Sequence, residues 1–104
     1  MMSSSTPPSA PPPGAPTVNA TPQLAFSPAQ LTIIQRGTVT FAFGAVAHNV
    51  FFDNDPAGAP DNIPGANSNT TVQRVFATAG VYAFYCHIHP GMHGAITVVA
   101  PDTV

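Results

Sequence analysis

Short apolar stretches separated by turn residues run through most of the chain. From Leu24 onward they are rich in β-branched and aromatic side chains: Leu24 to Phe26, Leu31 to Ile34, Thr38 to Phe43, Asn49 to Phe52, Thr71 to Phe76, Val81 to Tyr85 and Ala95 to Val99. The third shows its period most plainly, with Val39, Phe41 and Phe43 alternating against Thr38, Thr40 and Ala42. Successive side chains of a strand point to opposite faces, so a period of two marks a sheet with one face buried. Gly37 and Gly80 stand where adjoining strands need tight turns. Seven strands in under about 80 residues predict an all-β sandwich. Phe41, Phe43, Phe52, Tyr82 and Phe84 are expected to wall either its core or the site beside it, and alternation alone does not assign the face that each takes.

Two stretches break the pattern. Residues 1–22 hold seven of the 13 prolines, interspersed with Ser, Thr, Ala and Gly. They predict a disordered, polyproline-like tail or linker, leaving 23–104 as the single folded domain. Residues 53–70 combine Pro, Gly and Asn with Asp53, Asp55 and Asp61, which predicts one long surface loop.

Charge is sparse. Arg36 and Arg74 face only four aspartates, for a net charge of −2, which excludes the basic footprint of a nucleic-acid binder. Partners should therefore meet a weakly charged surface, with little dependence on salt. No apolar run is long enough to span a membrane, and the first residues lack the pattern of a signal peptide.

Chemistry concentrates in one window, Cys86-His87-Ile88-His89-Pro90-Gly91-Met92-His93, between two predicted strands. The fourth histidine, His48, opens another strand. Cys86 is the sole cysteine, so its thiol is buried, reactive or metal-bound rather than paired within the chain. Thiolate, imidazole and thioether form a soft donor set that suits copper, whereas Mg²⁺ and Ca²⁺ want oxygen. A loop turned by Pro90 and Gly91 can bring Cys86, His89 and Met92 around one ion, with His48 as the second imidazole. His87 should point away from Cys86 if strand geometry persists. His87 and His93 are expected at the surface, either without a role or as groups that tune the site or catch copper.

The segment Val81-Tyr82-Ala83-Phe84-Tyr85-Cys86, with His89-Pro90, Met92-His93-Gly94 and Ala95-Ile96-Thr97-Val98, resembles the cupredoxins, the plastocyanin and amicyanin group. The resemblance covers Leu24 to Val99, and the Cys86, His89 and Met92 spacing is similar to the short ligand loop of amicyanin. It implies a Greek-key sandwich that holds one Cu(I)/Cu(II) ion through His48, Cys86, His89 and Met92. It also implies a non-enzymatic, monomeric electron carrier between a donor and an acceptor protein, in the periplasm or outside the cell. By the same resemblance, Asn49 donates its backbone N–H to the Cys86 sulfur, and the electron leaves through His89.

Rival functions fit the chain less well. A multicopper oxidase would need a histidine on each side of the cysteine, but Tyr85 precedes Cys86, and a dinuclear electron-transfer site would need a second cysteine. A thiol nucleophile formed by Cys86 and His89 lacks an evident orienting group, and a metal-free adhesion domain would not retain four ligands. Copper storage or delivery, and a copper module of a larger redox enzyme, are the alternatives left open.

Overall fold

The computed structural model describes residues 15–53 and 57–101. Nine strands follow one another among the described residues: β1 (Thr17–Ala20), β2 (Phe26–Ser27), β3 (Gln30–Ile34), β4 (Gly37–Phe43), β5 (His48–Phe52), β6 (Ile63–Asn67), β7 (Thr70–Phe76), β8 (Gly80–Tyr85) and β9 (His93–Val99). They form two sheets, ordered β2-β1-β4-β7 and β3-β9-β8-β5-β6. The β1–β4 and β3–β9 pairs are parallel and the others antiparallel.

The period of two read in the sequence decides what lies between the sheets. Val39, Phe41 and Phe43 of β4 point inward, as do Tyr82 and Phe84 of β8 and Ile96 and Val98 of β9. Thr40 is also buried, and its hydroxyl accepts a hydrogen bond from Gln73 Nε2 at 3.1 Å, which removes the penalty of an unpaired buried polar group. The five aromatics expected to wall the core or the site are all buried. Phe84 is their hub, meeting Phe26, Phe41 and Phe52 edge-on at centroid distances of 4.8, 5.7 and 6.0 Å. Such contacts contribute about 0.5–1.5 kcal/mol each beyond simple burial. Gly94 of β9 lets this ring sit close: a Cβ there would lie 2.6 Å from Phe84 Cζ and 2.5 Å from the Ala29 carbonyl oxygen.

The all-β sandwich stands as expected, with more strands than the seven expected. The boundary drawn at residue 22 cuts through the fold, because β1 lies inside the segment assigned to the tail. Val18 and Ala20 of β1 are buried, and the strand runs alongside β4. Residues 1–14 of that segment lie outside the described residues. Nor is 53–70 one loop. β6 forms within it and pairs with β5, and Arg74 donates to the Asp61 and Asn62 carbonyls at 2.8 and 3.0 Å on the way in. Pro64 is tolerated because β6 is an edge strand.

Candidate metal centre

Two elements meet at one end of the sandwich. The first is the start of β5, where His48, Asn49 and Val50 are all buried and the pairing with β6 is irregular between His48 and Val50. Such irregularities re-aim side chains and recur beside functional sites. The second is the β8–β9 connection, Cys86 to Met92. It is closed by Cys86 N–H donating to the Met92 carbonyl at 2.9 Å and Met92 N–H donating to the His89 carbonyl at 3.2 Å. Gly91 turns it with φ of 91°, a conformation open to glycine at no steric cost.

The loop and β5 bring three donor atoms together. His48 Nδ1 and His89 Nδ1 are 3.1 Å apart, and Cys86 Sγ lies 3.9 and 3.8 Å from them. The point equidistant from all three is about 2.1 Å from each, close to the ion–nitrogen and ion–sulfur bonds of about 2.0–2.3 Å made by a first-row metal. A trigonal set of two imidazoles and one thiolate therefore fits a transition-metal ion, and it offers no oxygen to a hard cation. Met92 is buried in the same loop, His89 is half-buried, and His48 and Cys86 are fully enclosed.

Hydrogen bonds to the backbone hold the donors in place. The Thr21 carbonyl, which can only accept, lies 2.9 Å from His48 Nε2. The ring proton of His48 is thereby fixed on Nε2, and the Nδ1 lone pair faces the cluster. Burial pushes the His48 pKa below the ordinary value of 6.5; the Thr21 hydrogen bond opposes this shift and the nearby His89 adds to it. Asn49 N–H donates to Cys86 Sγ at 3.5 Å, the contact expected from the family resemblance. Its side chain does more than the sequence suggested. Nδ2 donates to the Gly65 carbonyl at 3.0 Å, and Oδ1 accepts from His87 N–H at 2.7 Å, so one residue ties β6 to the ligand loop. Asn67 Nδ2 donates to the His48 carbonyl at 3.0 Å from the other side. Among the described residues, no buried side-chain nitrogen or oxygen lacks a partner.

His87 and His93 stand apart from the three donors. Both are exposed, and the His87 ring packs 5.4 Å from Phe51 on the outer face, turned away from the thiol as strand alternation predicts. The Thr21 brace and the Asn49 and Asn67 side-chain bridges were not foreseen. Thr21 acts through a carbonyl that every residue possesses, so no sequence signal could have found it.

Comparison with known proteins places these features. Residues 15–99 match the family of copper binding proteins of the plastocyanin/azurin type. The chain is 37% identical over 89 residues to a plastocyanin of Scenedesmus fuscus, in a match covering 72% of this chain and 87% of that protein. It is 36% identical over 87 residues to the chloroplastic plastocyanin of Physcomitrium patens, again over 72% of this chain but only about half, 51%, of the relative's length. Among solved structures, oxidised plastocyanin from Dryopteris crassirhizoma superposes with a TM-score of 0.69 at 28% identity, covering 79% of this chain and 98% of that one. A reduced, Cu(I) form of an amicyanin mutant gives 0.68 at 28% identity, covering 82% of both chains.

Proposed function

The chain belongs to the plastocyanin/azurin family of copper-binding proteins, and from that premise we propose that it is a one-electron carrier whose copper is held by His48, Cys86, His89 and Met92. The observation that carries this reading is the triangle of two imidazole nitrogens and one thiol sulfur with an ion-sized centre. Met92, buried in the same loop, would add a soft thioether to that set. Bound copper supplies a Cu(I)/Cu(II) couple that exchanges a single electron.

The chain's own residues make that exchange easy. Two neutral imidazoles and one thiolate leave a site charge of +1 with the oxidised ion and zero with the reduced one, and the enclosed position of Cys86 and His48 favours the less charged state. Asn49 N–H withdraws charge from the sulfur, and Thr21 holds His48 in one tautomer in both states. Braced donors reorganise little, which is the property a carrier needs. His89 is the only member of the triangle not fully enclosed, so its edge is the exit for the electron toward a donor or acceptor protein. With two arginines and four aspartates in the chain, the docking surface is weakly charged and encounters are brief. The protein acts as a monomer in the periplasm or outside the cell, and it catalyses no reaction of its own.

Titration with Cu²⁺ tests the reading. One equivalent should produce an intense visible copper–thiolate band, and the loaded protein should give a reversible one-electron voltammetric wave. A pale product, or a wave absent or irreversible, would reject it.

A further inference from the structure

The electron-transfer site uses two of the four histidines, leaving His87 and His93 unassigned. They flank the ligand loop: His87 follows Cys86, and His93 follows Met92 and opens β9. On the outer face of the sheet, Phe51 pairs with Tyr85 and Tyr85 with His93, while the His87 ring packs 6.4 Å from Tyr85. Both histidines line an open pocket of about 420 Å³ whose wall also includes Cys86 and Met92. One solvent-open cavity thus presents two exposed imidazoles together with the two sulfur-bearing residues of the loop.

We propose that His87 and His93 form a surface capture site for a divalent transition-metal cation, chiefly Cu²⁺, on the path to the buried donors. The physical need is plain. His48 and Cys86 are 0% and 1% exposed, so a hydrated ion cannot reach them without shedding its water first. An exposed neutral imidazole replaces one water at a time and binds Cu²⁺, Ni²⁺ and Zn²⁺ in preference to Mg²⁺ or Ca²⁺. The His87 ring rests on Phe51 and Tyr85 at the rim, and the cavity that it lines with His93 is large enough to admit a partly hydrated ion. No electron moves at this stage, because the ion exchanges water for nitrogen and later nitrogen for the buried set.

The inference rests on the copper reading but not on electron transfer, and its test separates the two. Ni²⁺ is titrated calorimetrically into the copper-loaded protein, whose visible band reports that the buried site is filled. One Ni²⁺ should bind per molecule, and the double variant His87→Gln/His93→Gln should weaken that binding by about tenfold or more with the visible band unchanged. Stopped-flow mixing of metal-free protein with substoichiometric Cu²⁺ should show the band growing several-fold more slowly in the double variant. In Cys86→Ser the visible band should be lost, and adding His87→Gln/His93→Gln to that variant should still weaken Ni²⁺ binding by about tenfold, so failure of the buried site and failure of the capture site read differently. Ni²⁺ affinity unchanged by the double substitution, or loading at the wild-type rate, would overturn the proposal.

Discussion

The two faces of strand β8 lead, one residue apart, into opposite environments. Tyr82, Phe84 and Cys86 point inward and are at most 1% exposed, whereas Val81 and Tyr85 point outward and His87 beyond them is exposed. The inner row is locked by edge-on aromatic contacts and backbone hydrogen bonds, and its last member is the thiol of the metal centre. The outer row stacks loosely through Phe51, Tyr85 and His87 and faces water. A single residue of register separates a thiol positioned to hold a metal ion from a surface histidine, because a strand sends neighbours to opposite sides.

Substitutions along the two rows should therefore diverge. The largest effect is expected at the end of the inner row: Cys86→Ser should abolish the visible band of the copper-treated protein, while His87→Gln leaves its intensity intact, as read by absorption spectroscopy. Next, Phe84→Ala should destabilise the fold by about 3–5 kcal/mol in urea unfolding, because a hub of edge-on contacts becomes a cavity. Tyr85→Ala, one position away on the outer face, should lose about 1 kcal/mol or less, the scale of a partly exposed stacked pair. Equal losses at 84 and 85 would erase the distinction.

Asn49 joins the two regions, since it holds the sulfur from inside and the His87 backbone from the loop. Asn49→Ala keeps the backbone N–H but leaves the Gly65 carbonyl and His87 N–H without their partner, a loss of about 1–3 kcal/mol. The visible band should survive while the reduction potential shifts, measured by voltammetry on the loaded variant. The smallest effect concerns protons. Burial keeps the His48 pKa below 6.5, so below that pH the folded, metal-free protein binds fewer protons than the unfolded chain. Its stability should fall as pH drops through about 6.5 toward the lower folded-state value. Urea midpoints at pH 7.5 and 5 should show that fall, and it should shrink in His48→Gln.

Much of this division was readable in the chain. Alternating Val39, Phe41 and Phe43 revealed a sheet with a buried face, and residue type and spacing pointed to the window from which Cys86 and His89 come to meet His48. What stayed hidden had no local signature. β1 contributes only Val18 and Ala20 to the core, two modest side chains at the end of a Pro-rich segment, and its partner β4 lies some twenty residues downstream. β6 carries Pro64 and Gly65 and buries only Ile63, so its composition reads as loop while its pairing with β5 makes it a strand. Thr21 braces His48 through a carbonyl across 27 positions. Long-range pairing and backbone acceptors leave no mark on residue identity, whereas packing period and metal chemistry do.

X-ray absorption at the copper edge of the loaded protein tests the central claim most directly. Two nitrogen scatterers and one sulfur, each about 2.0–2.3 Å from the ion, are the result expected from the His48, His89 and Cys86 triangle. A shell of nitrogen and oxygen with no short sulfur distance would place the ion elsewhere and contradict the account.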